Sequence, residues 1–247
     1  MISSSFVNYA HRGASSYAPE NTFASFYKGI ELGANGIETD VQATSDGVLV
    51  LHHDDTLLRI CGIDKAVKDL TFTELRELDF GGFFGKRFCG EKIVTLTDFL
   101  TYFSSKPLTF AIEIKQDGIE FEVDDICRRF LEEKKYYITS FIPGAVLRLA
   151  ESAKPPQLGF LSSASDGEDP EKYRRACVKQ YCPFAPELNE AMMTRLRDLG
   201  FNIRAWGVAD EEIMKKAYFL GVDGMTVNFP DKLKALIDSY SSASGSC

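Results

Sequence analysis

Eight short runs rich in β-branched and aromatic residues recur along this chain, and amphipathic stretches separate most of them. They are Phe6 to Ala10, Gly36 to Val41, Thr109 to Ile114, Tyr136 to Ser140, Gln157 to Leu161, Lys179 to Cys182, Asn202 to Trp206 and Asp223 to Val227. A strand followed by a helix and another strand is the pattern of a parallel βα unit, since the helix carries the chain back to the end from which it started. Eight such units in series predict an α/β fold, a closed parallel (β/α)8 barrel. The length of 247 residues is the usual length of that architecture, although it would also accommodate two small domains. With 45% hydrophobic and 26% charged residues and a mean hydropathy of -0.13, the chain has material for a sizeable core.

Two segments depart from the βα rhythm. Val48 to Leu51 follows the turn signal Ser45-Asp46-Gly47, which fits a hairpin return from the second strand, with a place among the barrel strands as the alternative. Residues 54–98 carry Gly81, Gly82, Gly85 and Gly90 among aromatics and charges and read as an inserted cap. The aromatic residues from Phe80 to Phe88 suit either cap packing or an apolar substrate wall. Residues 239–247 are small and polar and are expected to be a disordered tail. No interdomain linker is visible, so residues 1–247 are read as one domain.

Bulk properties exclude several functions. A net charge of -8 and a pI near 5.0 disfavour a broad surface for nucleic acid or anionic membrane. No apolar stretch reaches the roughly 18 residues a spanning helix needs, and Met1-Ile2-Ser3-Ser4-Ser5 lacks a basic region followed by an apolar one. The expectation is a cytoplasmic protein with no stable membrane anchor. Cys61, Cys89, Cys127, Cys177, Cys182 and Cys247 are scattered without a CxxC, which reads as reduced thiols.

The chemistry concentrates near strand ends. Glu38 and Asp40, at strand spacing in Ile37-Glu38-Thr39-Asp40-Val41, project to one face, and so do Glu113 and Lys115 in Ala111-Ile112-Glu113-Ile114-Lys115. Like charges sharing a small volume beside a core call for a cation. Three carboxylates without a nearby cysteine favour Mg²⁺ or Ca²⁺ over zinc. All the histidines, His11, His52 and His53, fall in the first 53 residues. With Arg12 and Lys115 they suit an anionic oxyester, the cations neutralising phosphoryl oxygens while one imidazole accepts a proton and another donates one.

These motifs resemble the glycerophosphodiester phosphodiesterase family over most of the chain. Tyr9-Ala10-His11-Arg12-Gly13 is similar to its HRG opening and Pro19-Glu20-Asn21-Thr22 to its PENT motif. Gly33 to Val41 with Asp46-Gly47 and His53-Asp54 resembles its GAxxIExDV…DG…HD block, and Glu113-Ile114-Lys115 its EIK strand. Weaker likenesses follow at Thr95-Leu96, Ser140-Phe141, Trp206 and Gly221-Val222-Asp223-Gly224. Asn35, Val94 and Asn228 depart from the family pattern, standing where Asp, Pro and Asp are frequent.

The resemblance implies a TIM barrel with a small insertion. It implies that Glu38, Asp40 and Glu113 hold a divalent metal, that His11 and His53 are the acid/base pair, and that Arg12 and Lys115 contact phosphate. Phe141 and Trp206 would line the substrate mouth. The implied reaction is hydrolysis of a small-molecule glycerophosphodiester to glycerol 3-phosphate and an alcohol. Its nucleophile is either water or the adjacent glycerol hydroxyl, the latter through a cyclic phosphate. His53 is assigned as base and His11 as acid, the two exchanging roles between steps of the cyclic route.

Competing readings are a phospholipase D-like cleavage of lysophospholipids and a barrel that binds phosphodiesters without cleaving them. The first lacks a basic amphipathic anchor helix, and the second calls for a missing acid or histidine. His52 reads as a structural, hydrogen-bonded histidine. Lys115 can serve as counter-ion to Glu113 while binding phosphate, and Trp206 can serve core and binding surface together. Asn21 would either cap a helix over Thr22 to Leu32 or, with Glu20, brace the catalytic loop.

Overall fold

Described over residues 6–241, the computed structural model shows the βα alternation in order. β1 (Val7–His11) leads to α1 (Phe23–Glu31), and β2 (Gly36–Ala43) turns back into β3 (Leu49–Leu51). Then come α2 (Leu58–Cys61), α3 (Phe72–Glu77) and α4 (Leu96–Phe103). Next are β4 (Thr109–Ile114), α5 (Glu120–Phe130), β5 (Tyr136–Ser140), α6 (Pro143–Ala150) and β6 (Leu158–Ser162). The chain continues through α7 (Pro170–Arg175), β7 (Gln180–Pro183), α8 (Glu190–Asp198), β8 (Asn202–Val208), α9 (Glu211–Phe219), β9 (Gly224–Val227) and α10 (Pro230–Ser241).

The strands pair in the order β1-β9-β8-β7-β6-β5-β4-β2, and β1 pairs with β2 to close a parallel barrel of eight. β3 pairs antiparallel with β2, Val41 opposite Leu51 and Ala43 opposite Leu49, so it is the hairpin return and not a barrel strand. Closure buries both faces of the strands, and every residue of β2 is buried.

The main core lies between the barrel and its ring of helices. Phe26, Phe99, Phe103 and Phe110 form one aromatic seam there, with ring centroids 4.7 to 5.7 Å apart for Phe26–Phe99 and Phe99–Phe110. Helix starts follow local chemistry. Thr22, Thr95, Asn189 and Asp210 each accept a backbone N–H of the first turn, while Pro143 and Pro170 occupy first-turn positions where no N–H is needed.

The insertion is a small lobe with its own apolar centre of Val50, Leu57, Ile60, Val67, Leu70, Leu75, Phe80 and Ile93. Phe80 belongs to that centre, and Phe84 packs edge-on against Phe83 and Phe88. The aromatic run therefore serves cap packing. Ser239, Tyr240 and Ser241, expected in the tail, continue α10, whereas residues 242–247, Cys247 among them, lie outside the described residues. Among the described residues no helix is long and apolar enough to cross a membrane.

Candidate active site

Strand register assembles the site. In the β1–β2 pair His11 is opposite Glu38, and in the β2–β4 pair Asp40 is opposite Glu113, so residues distant in sequence meet at the C-terminal end of the barrel. Ligand oxygens of Glu38, Asp40 and Glu113 all lie within 4.8 Å of one another. The three side chains are 2%, 0% and 7% exposed, so water cannot disperse their charge.

Burial, with Asp40 and Glu113 as charged neighbours, pushes the Glu38 carboxyl well above the usual carboxylate range. Burial and Asp40 raise Glu113 as well. Asp40 opposes its own burial with help from Arg12, His53 and Lys115 and a hydrogen bond from Asn21, which together hold it below its ordinary value. Glu38 Oε1 and Asp40 Oδ1 are buried with no hydrogen-bond partner among the described residues. Orphaned carboxylate oxygens facing one small volume are a donor set for a hard divalent cation.

Cations and amides brace this cluster from one side. Arg12 Nε is 3.2 Å from Asp40 Oδ2, and its Nη1 donates to Glu20 Oε1 at 2.8 Å. Asn21 Nδ2 donates to Asp40 Oδ2 at 3.0 Å while its Oδ1 accepts from Thr39 at 2.7 Å. Thr22, not Asn21, caps α1, because the Asn21 amide is committed to Asp40 and Thr39 and its backbone is left-handed at φ 55°. Arg12 is also left-handed, at φ 54°. The adjacent Gly13, at φ 81°, packs so closely on Ser25 that a Cβ there would lie 2.4 Å from its atoms. On the other side Lys115 Nζ donates to Glu113 Oε1 at 2.9 Å.

The histidines divide as their surroundings dictate. His11 Nδ1 donates to Asn228 Oδ1 at 2.6 Å, leaving Nε2 free and 3.9 Å from Glu38 Oε2. Burial, reinforced by Arg12, lowers His11 to about 4. His53 Nδ1 is 2.8 Å from Asp54 Oδ1, and Arg59 of α2 holds Asp54 and Glu20 in turn. His52 is turned away, its Nε2 within 3.2 Å of the Thr56 carbonyl, and its ring stands edge-on to Phe80.

A cavity of about 380 Å³ unites His11, Arg12, Glu38, His53, Glu113, Phe141 and Trp206. Phe141 and Phe184 flank Trp206 at 4.8 and 4.7 Å, and the indole N–H donates to the Ser162 carbonyl at 3.1 Å. Gly207 at φ 71° allows this, for a Cβ there would sit 2.3 Å from the Phe184 ring. Lys115 lies over Phe141 at 5.7 Å.

Among the cavity residues not assigned from sequence are Asn228, noted only as a departure from the family, Phe184 and Arg204. Asn228 and Phe184 carried no local signal. A charged residue midway in the apolar strand Asn202 to Trp206 was a signal of the same kind as Glu38 and Asp40.

The model of the glycerophosphoryl diester phosphodiesterase family matches residues 11–232. The chain belongs to that family. It is 33% identical over 233 residues to the glycerophosphodiester phosphodiesterase of Caldanaerobacter subterraneus subsp. tengcongensis, covering 92% of this chain and 96% of that one. Its fold matches an Oleispira antarctica phosphodiesterase solved in complex with the product sn-glycerol-3-phosphate, with a TM-score of 0.85, 25% identity, and 93% and 96% of the two chains covered. It also matches the glycerophosphodiester phosphodiesterase of Thermotoga maritima, with a TM-score of 0.77, 28% identity, and 93% and 98% covered.

Proposed function

We propose that this family member hydrolyses glycerophosphodiesters to sn-glycerol 3-phosphate and an alcohol. The observation that carries the reading is the buried trio Glu38, Asp40 and Glu113, with two orphaned oxygens, sharing the neighbourhood of His11 and His53. These residues fit a divalent cation, and oxygen-only ligation makes Mg²⁺ or Ca²⁺ our choice. When bound, the cation supplies positive charge to the phosphoryl oxygens as a Lewis acid.

The protein's own groups do the rest. Arg12 and Lys115 border the phosphate position and offset its negative charge. His11 is neutral at pH 7, and its Nδ1–H bond to Asn228 aims the Nε2 lone pair at the site. We take it as the base of the first step, accepting the proton from the attacking oxygen, where the sequence reading took His53. His53, its ring held by Asp54, protonates the departing alkoxide. Attack by the neighbouring glycerol hydroxyl would form a cyclic phosphate, and the two imidazoles would exchange roles when water opens it. Phe141 and Trp206 wall the mouth against the alcohol portion. The five unpaired cysteines among the described residues accord with a reducing compartment, and we place the protein in the cytoplasm.

A panel of glycerophosphocholine, glycerophosphoethanolamine and lysophosphatidylcholine tests the reading. Release of glycerol 3-phosphate from the first two is expected, with lysophosphatidylcholine a poor substrate. No release from either diester with Mg²⁺ or Ca²⁺ present would overturn it.

A further inference from the structure

Arg204 is among the largest fully buried side chains of the protein, 1% exposed, yet it lines the active-site cavity. It sits on β8 two positions before Trp206, across the barrel from Glu113. A guanidinium keeps its charge at any pH relevant to a folded protein, so burying one is costly unless its N–H groups are satisfied. Nε donates to Gln180 Oε1 at 3.0 Å, Nη1 donates to Thr226 Oγ1 at 2.6 Å, and the plane lies over the Tyr9 ring at 5.4 Å. Nη2 has no acceptor among the described residues.

The partners of the other nearby cations make the contrast. Arg12 is bonded to Glu20 and paired with Asp40, and Lys115 is bonded to Glu113, so carboxylates take up much of their charge. Arg204 donates to the neutral Gln180 and Thr226, with the Cys182 thiol beside it, and Glu38 and Glu113 act on it electrostatically without an ion pair. Gln180 also donates to Asn202 Oδ1 at 2.7 Å, which fixes the amide and hence the guanidinium.

We propose that Arg204 is a substrate-binding residue that forms the cavity floor and donates its free Nη2–H to a nonbridging phosphate oxygen of the bound diester. The inference rests on the phosphodiesterase reading above. A phosphate oxygen is favoured over a glycerol hydroxyl because its negative charge adds Coulombic attraction to the guanidinium that a neutral hydroxyl does not offer. It also gives the anion a positive contact on the side of the cavity opposite the carboxylates, whose charge would otherwise repel it.

The test uses the full chain saturated with Mg²⁺ or Ca²⁺. Dissociation constants for inorganic phosphate and for sn-glycerol 3-phosphate are measured by calorimetry in wild type and Arg204→Met, together with kcat and KM for glycerophosphocholine. Loss of a charge-assisted bond should weaken both ligands by about tenfold or more, by a similar factor, and raise KM. Both affinities within twofold of wild type in a folded variant would overturn the assignment, and so would loss confined to glycerol 3-phosphate. If Arg204→Met does not fold, the guanidinium resonances of Arg204 in ¹⁵N-labelled wild type should shift on addition of inorganic phosphate, and unmoved resonances would overturn it equally. Wild-type turnover separates the two claims. A wild type that releases no glycerol 3-phosphate removes the reaction, whereas an active wild type with an indifferent Arg204 removes only this residue.

Discussion

Asn228 Oδ1 accepts a hydrogen bond from His11 Nδ1 at 2.6 Å, joining the last residue of the first barrel strand to the loop after the last strand. The neutral amide fixes the tautomer without adding a charge. Replacing it by a carboxylate should favour the imidazolium, so Asn228→Asp should move the acidic limb of the kcat/KM profile to higher pH by about one unit or more. Asn228→Ala should lower kcat about tenfold with the limb little changed. A pH–rate profile of the three proteins checks both.

Either histidine replaced by alanine should lower kcat by about 10²-fold or more, while His52→Ala should act through stability instead. Steady-state rates beside thermal unfolding separate the two effects. Near-normal turnover of a folded His11→Ala or His53→Ala protein would remove that residue from the reaction.

Glu20 binds both Arg12 and Arg59 and so ties the insertion to the catalytic loop. Burial raises its carboxyl, but Arg59 and Arg12 more than offset this and hold it below its ordinary value. A depressed folded value means that the pairing stabilises the protein above the unfolded pKa of about 4.3 and is lost as pH falls through the folded one. Glu20→Gln should therefore cost about 1–2 kcal/mol at pH 7. In urea unfolding, the gap from wild type should close progressively below about pH 4.

Three buried carboxylates repel one another when no cation is present. Glu38→Gln relieves part of that strain, so the chelated variant should melt at or above chelated wild type. It should also lose most of the cation-induced rise in Tm, which in wild type corresponds to about 2.7 kcal/mol at a cation concentration 100 times Kd. Thermal melts with chelator, Mg²⁺ and Ca²⁺ give the comparison.

Much of this was legible from local pattern. Thr109–Ile114 and Tyr136–Ser140 begin and end where β-branched spacing places them. The alternation in β2 and β4 correctly put Glu38 with Asp40, and Glu113 with Lys115, on common faces. Misplaced boundaries have tertiary causes. β2 runs on to Ala43 because its last residues pair with β3, and β8 runs on to Val208 through an irregularity after Ala205. Asn21 has the side chain of a cap, but a contact with Asp40 nineteen positions away engages it. The Asn228–His11 bond spans 217 positions and exists only because β1 lies beside β9 in the closed barrel.

The central claim is that acids from β2 and β4 hold a divalent cation against which His11 and His53 break a P–O ester. Its most direct test is glycerol 3-phosphate release from glycerophosphocholine as Mg²⁺ or Ca²⁺ is titrated into chelated protein. The account predicts activity that rises from baseline and saturates with one cation per chain, and no such rise in Glu113→Gln. Full turnover in the chelated wild-type protein would contradict it.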